Sequence, residues 1–380
     1  MISGNAFNAD MSPGGRVSQR RGLAAILRLD MPLLTGLLLL SGLGLVVLYS
    51  ASGADMGQVK AQIIRLTLAF GVMLILAQIS PQSLRRWSPI LYGLGLILLI
   101  AVLITGHIGK GAQRWLNLGL FRFQPSEIMK IALPMMLAWF FSLRDLPPRP
   151  LSLFSSTILM AIPVFLIAKQ PDLGTAMLVA SSGVFVLFLA GISWRLIIGL
   201  AVGVASAAPF VWSLLHDYQK QRVLTFIDPS SDPLGSGYHI IQSKIAIGSG
   251  GIYGKGWLNG TQSHLEFIPE RHTDFIFSVF SEEFGLTGVV MLMCLYLFII
   301  FRGLYIANTA QNSYNRLLAG SLSLVFFVYL FINTGMVSGL LPVVGVPLPL
   351  ISYGGTSVVT ILAGFGILMS IQSHKKLLPI

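Results

Sequence analysis

Ten apolar runs of roughly 20 residues each, long enough to cross a bilayer as helices, leave this chain few folds to choose from. They lie at about 32–52, 61–79, 88–106, 125–143, 152–169, 173–191, 194–215, 274–301, 316–338 and 353–373. In hydrocarbon every backbone N–H and C=O must be bonded within the protein, so such runs fold as helices packed into a bundle. A mean hydropathy of +0.78, with 54% hydrophobic and 10% charged residues, excludes a soluble globular domain. The expected fold class is an all-α integral membrane protein. It has ten transmembrane helices and a long extracytoplasmic loop, 216–273, between helices 7 and 8. The second run is interrupted by Lys60, Gln62 and Arg65, and only Lys169-Gln170-Pro171-Asp172 parts the fifth from the sixth.

Charge sets the orientation. Residues 1–30 carry Arg16, Arg20, Arg21 and Arg28 but no short apolar core before a cleavage site, so they read as a cytoplasmic tail. Residues 31–380 then form one polytopic domain. Alternate connections hold Arg85/Arg86, Arg144/Arg149, Arg195, Arg302/Arg316 and Lys375/Lys376. Keeping those on the positive inner side places both termini in the cytoplasm. The single cysteine, Cys294, falls inside a run, which excludes disulfides and thiolate metal sites.

The net charge of +11 does not point to nucleic acid, because no soluble basic module carries it. Several cations stand on the outward side instead: Lys110, Arg114 and Arg122 after the third run, and Lys220, Arg222, Lys244, Lys255 and Arg271 after the seventh. Long loops translocate regardless of charge, which is one explanation. The other is an anionic ligand at the outer leaflet, met by converging Arg and Lys.

Four outward segments hold most of the polar chemistry. In the first, Arg114-Trp115 suits an interface, with the indole at headgroup depth and the guanidinium toward phosphate. Gln124-Pro125-Ser126-Glu127 reads as a helix start, and Lys130 follows Glu127 on the same face at i+3. An internal ion pair and a ligand role both fit this pair. In the second segment Asp172 is expected to cap the sixth helix. The third is the long loop, where 238–247 reads as a short amphipathic interfacial helix. Gly248-Ser249-Gly250-Gly251-Ile252-Tyr253-Gly254-Lys255-Gly256 follows; it exposes amides to a phosphate, but its spacing is not that of a nucleotide P-loop. The loop closes on His272-Thr273-Asp274, where Asp274 is either a helix cap or a catalytic carboxylate. Glu282 and Glu283 are expected roughly 12 Å deeper at 1.5 Å per residue, with Lys130 as candidate partner. In the fourth segment, 333–357, three prolines and repeated glycines preclude a continuous helix, so it should line the same cavity as Asp274.

This fourth segment resembles the signature of the SEDS family of bacterial cell-wall proteins at Asn333, Gly339, Pro342, Gly345, Leu350, Ile351, Ser352, Gly354, Gly355, Thr356 and Ser357. Gln113-Arg114-Trp115, Gln124-Pro125-Ser126-Glu127 and His272-Thr273-Asp274-Phe275-Ile276-Phe277 look like its other hallmarks, and Arg271 with the compact tails is more similar to the RodA branch. The resemblance implies a peptidoglycan glycosyltransferase of the bacterial inner membrane that polymerises lipid II during cell elongation. It also implies a class B penicillin-binding protein as partner, within a larger elongation complex. It maps the essential carboxylate to Asp274. The expected substrate site draws on Arg114, Trp115, Gln124, Glu127, Lys130, Lys255, His272, Ser352 and Thr356. A divalent cation (Mg or Mn) held partly by Asp274 is a further expectation. A lipid II flippase and a non-catalytic scaffold are the alternatives. The partner helix is expected against Gly285, Gly288, Ala319, Gly320 and Ser321, where small side chains permit close approach.

Overall fold

The computed structural model describes residues 29–109, 112–117, 122–193, 217–229, 236–261 and 270–375, with short pieces at 198–199, 202–203, 206 and 212–213. The helices are α1 Met31–Ala51, α2 Met56–Gln78, α3 Pro81–Thr105, α4 Pro125–Ser142, α5 Pro150–Ala168, α6 Leu173–Leu189, α7 Asp217–Ile227, α8 Ser236–Ser249, α9 Ile276–Asn308, α10 Ser313–Val337 and α11 Thr356–Ser373. Seven of these (α1, α2, α3, α5, α9, α10 and α11) are long and apolar enough to cross a membrane. The chain is a multi-pass membrane protein. The 18-residue α4 carries Glu127 and Lys130, and α6 has 17 residues. The expected seventh span, 194–215, and the tail up to residue 28 fall almost wholly outside the described residues.

Local sequence sets the helix starts. Pro32, Pro81, Pro125 and Pro150 each stand in a first turn, where a missing N–H leaves nothing unpaired. Asp30 caps α1 by accepting from Leu33 N at 3.0 Å. The same carboxylate takes Arg302 in a two-pronged pair, Nε to Oδ1 at 3.0 Å and Nη2 to Oδ2 at 2.6 Å, and so ties the start of α1 to α9. Lys375, just past α11, joins this end of the bundle; partial burial and the Arg302 guanidinium push its pKa down.

Helix α10 is central and packs on α9, α6 and α4; α11 lies against α2, and α3 against α4. Buried hydroxyls stitch the helices together, as where Ser321 Oγ donates to the Ser182 carbonyl at 2.7 Å. The expected docking strip is covered inside the molecule at four of its five residues; Gly288 alone is half-buried and meets only Phe280 and Phe284 of its own helix. Ala319, Gly320 and Ser321 are buried, and a Cβ on Gly320 would collide with Leu189 of α6. Gly285 is pressed against the backbone of Ile252 and Gly254.

Two features depart from ten plain helices. Residues around Arg114 form a small antiparallel sheet, β1 His107–Gly109, β2 Ala112–Asn117 and β3 Arg122–Phe123, in the order β1-β2-β3. Helix α9 is also not continuous: Gly285 has φ 63° and ψ −165°, which breaks it into a short segment, 276–284, and the span proper. The two features sit at one end of the bundle, here called the mouth. It comprises the C-terminal ends of α1, α3, α5 and α10 and the N-terminal ends of α2, α4, α6, α9 and α11.

Candidate active site

Asp274 sits in the turn before α9, partly exposed at the mouth. Phe275, one residue on, occupies the cap position of its helix. The fourth segment holds Asp274 by its backbone. Asn333, fully buried near the end of α10, donates Nδ2 to the Asp274 carbonyl at 2.9 Å and to the Val346 carbonyl at 2.8 Å. Ser352 Oγ donates to the Thr273 carbonyl at 2.6 Å, and Tyr353 N donates to the His272 carbonyl at 2.8 Å. The rings of His272 and Tyr353 meet edge to face, 5.9 Å apart. Gly345 has φ 72°, and a Cβ there would stand 3.4 Å from Asp274 Oδ2. The broken 333–357 segment thus packs against the Asp274 turn.

The break in α9 corrects the expected depth of the acidic pair. Ser50, one residue before the end of α1, donates to Glu283 Oε1. The Asp274 carbonyl meets Asn333 in the last turns of α10. Both contacts are at mouth level, so the 276–284 segment crosses the mouth and does not descend from it. Helix α8 covers this segment, burying Ile240, Ser243 and Ala246; Ser243 Oγ donates to the Val337 carbonyl at 2.7 Å. The expected interfacial helix therefore presents one face to protein.

The partners differ too. Lys130 pairs with Glu127, Nζ to Oε1 at 2.7 Å, and lies 5.3 Å from the Tyr329 ring centre. It is Lys255 that meets Glu282, at 2.7 Å. The glycine-rich loop spends its amides inside the protein: Lys255 N and Gly256 N donate to the carbonyls of Glu282 and Glu283, both at 3.0 Å. These are the backbone groups that the kink at Gly285 releases from the helix.

Arg114 and Gln124 converge on Asp172 from β2 and the start of α4. Arg114 Nη1 stands 3.6 Å from Asp172 Oδ2, and Gln124 Nε2 donates to the same oxygen at 3.0 Å. Asp172 Oδ1 caps α6 by accepting from Thr175 N at 3.2 Å, as its position before Leu173 predicts. Two residues on, a Cβ at Gly174 would lie 2.7 Å from the Val344 carbonyl. The Arg114 cluster and Asp274 thus flank the same three residues, Val344-Gly345-Val346. Trp115 is the next residue of β2, and Thr356 opens α11. The buried Glu127–Lys130 pair is a separate cluster; Lys130 lines a small cavity between α4, α10 and α11 with Tyr329, Thr360 and Phe365.

Residues 31–377 match the family profile for FtsW, RodA and SpoVE, described as cell cycle protein. The chain belongs to this family, the SEDS family. It is 55% identical over 351 residues to the peptidoglycan glycosyltransferase MrdB of Escherichia coli strain K12, covering 92% of this chain and 95% of that protein. A probable peptidoglycan glycosyltransferase FtsW of Trichlorobacter lovleyi is 37% identical over 364 residues, covering 92% and 95%. Among solved structures, a chain from a peptidoglycan synthase complex that coordinates polymerization and crosslinking superposes with TM-score 0.80 at 32% identity, over 90% of this chain and 97% of that one. The rod shape determining protein RodA of Thermus thermophilus superposes with TM-score 0.70 at 29% identity, over 92% and 98%.

This member also brings residues of its second helix to the site. Arg65 stacks on Tyr353 at 4.3 Å from the ring centre. Gln62 donates to the Ser352 carbonyl at 3.4 Å and accepts from Gly354 N at 3.3 Å. Their signal in the sequence is the polarity that weakens the second run: three residues apart, the two share a helix face, which is turned to the start of α11. Among the described residues no three His, Cys, Asp or Glu side chains converge as a metal site would require. Mg and Mn favour about six oxygen ligands, and the Asp274 turn carries two carboxylates, Asp274 and Glu270.

Proposed function

We propose that this chain is a peptidoglycan glycosyltransferase that polymerises lipid II at the outer face of the bacterial cytoplasmic membrane. The mouth is then outward and both termini cytoplasmic, as the arginine-rich connections favour. One observation carries the reading: a carboxylate whose turn is held by Asn333 and Ser352, and which shares the residues Val344-Gly345-Val346 with a cluster centred on an arginine. Lipid II joins an anionic pyrophosphate to a sugar and an apolar tail, so it calls for a cation and a base side by side at a membrane surface.

The reaction is an inverting glycosyl transfer. Asp274 accepts the proton of the acceptor sugar's 4-hydroxyl as that oxygen attacks the anomeric carbon of the donor; the anomeric C–O bond breaks and the polyprenyl pyrophosphate leaves. Arg114 neutralises the departing charge, and its flat, multi-donor guanidinium suits phosphate. Asp172 and Gln124 orient that guanidinium. Trp115, His272, Ser352 and Thr356 line the approach, and Glu127–Lys130 supports the start of α4. The partner is a class B penicillin-binding protein whose transpeptidase crosslinks the new strand. Its helix packs on exposed faces such as Met291, Phe298 and Phe301 of α9, because the small residues of α10 are already buried.

The test uses purified chain and labelled lipid II in detergent, where there is no bilayer to cross. A glycosyltransferase yields glycan chains; a flippase or scaffold yields none.

A further inference from the structure

Glu282 is buried beneath the loop that leads to Asp274, and its surroundings are built. Its Oε1 accepts from Lys255 Nζ at 2.7 Å, from Thr261 Oγ1 at 3.0 Å and from Ser249 Oγ at 3.5 Å. Lys255 Nζ also donates to Thr261 Oγ1 at 2.8 Å, closing a triangle. A buried carboxylate is costly unless a counter-charge and hydrogen bonds satisfy it, and Lys255 and Thr261 supply both from one short segment. The backbone secures the same junction. Lys255 N and Gly256 N bond to α9, and Leu286 N and Thr287 N return bonds to the Gly251 and Ile252 carbonyls at 3.0 Å each.

We propose that Glu282 is a positioning residue for Asp274 and acts through Lys255 and Thr261; the inference rests on the glycosyltransferase reading above. Asp274 and Glu282 stand eight residues apart, at the two ends of the segment that crosses the mouth. Asn333 and Ser352 fix the Asp274 end. The Lys255–Glu282–Thr261 triangle fixes the other. A general base must come within about 3 Å of the hydroxyl it deprotonates, so a displacement of about 1 Å slows the chemical step. Loosening the triangle therefore lowers kcat and leaves lipid II binding in place. If Lys255 instead met the substrate pyrophosphate, its loss would raise KM.

The experiment compares the full-length parent, Lys255→Met, Glu282→Gln, the double variant, Lys255→Arg, Thr261→Ser and Asp274→Asn, all with lipid II in detergent. Lys255→Met and Glu282→Gln should each lower kcat about tenfold with KM within about twofold. The double variant should be no worse than the poorer single, because the two residues act as one unit. Lys255→Arg and Thr261→Ser should recover most of the rate. The proposal is overturned by a raised KM at parental kcat, by losses that multiply in the double variant, or by losses that track the yield of folded protein without rescue by Lys255→Arg. If the parent yields no glycan chains, the glycosyltransferase reading fails instead; if Asp274→Asn polymerises like the parent, Asp274 is not the base, whatever the triangle variants do.

Discussion

Asn333 shows how one side chain serves both fold and chemistry. Its amide bonds two carbonyls that cannot both follow a regular helix, one before α9 and one in the broken 333–357 segment. Alanine at 333 leaves both acceptors buried, at a cost of about 1–3 kcal/mol for each unsatisfied group. Asn333→Ala should therefore melt several degrees lower in detergent and polymerise lipid II at least about tenfold more slowly, because the Asp274 backbone is released. Parental activity in a folded Asn333→Ala protein would show that Asp274 is placed by other means. The residue types at the site were legible in the sequence: Asp274, Arg114, Gln124 and Ser352 stand out as polar groups at the edges of apolar runs. Their pairings were not. Composition points to Lys130 as the partner of Glu282, and only the fold brings Lys255 to it and leaves Lys130 to Glu127.

At the scale of elements, helix existence followed from apolar length and from proline and aspartate punctuation, and most described helices fall within a few residues of the runs read from sequence. The break in α9 did not. The run that begins at 274 carries no charge after Asp274 except Glu282 and Glu283, and a glycine in such a run, Gly285 or Gly288, is ordinary. What makes Gly285 special is its φ of 63° with ψ −165° and the loop backbone packed against it, with the Ile252 carbonyl 2.6 Å from where a Cβ would be. That backbone conformation is essentially reserved to glycine. Gly285→Ala should cost about 3 kcal/mol or more and be recovered as little folded protein. A variant with parental melting would mean that α9 can run straight. The small sheet around Arg114 was equally hidden, since its strands are only two to six residues long and carry no alternating pattern.

For the whole molecule, the arrangement separates a packed interior from a polar mouth, and the proposed site lies at the mouth. Small residues in α10 let α6 and α9 approach it closely, so they stabilise the bundle itself. Gly320→Leu should lower the melting temperature of the chain alone, with no partner present, because overpacking costs about 1–3 kcal/mol. If that variant melts normally and fails only in complex recovery, the strip faces a partner after all. The central claim is that Asp274 is the base of a polymerising glycosyltransferase. The most direct measurement is glycan chain formation from labelled lipid II in detergent by the purified parent and by Asp274→Asn, which keeps the volume and loses the base. The parent should yield glycan strands, and Asp274→Asn should be slower by about two orders of magnitude or more at an unchanged melting temperature. Polymerisation by Asp274→Asn at the parental rate would contradict the account.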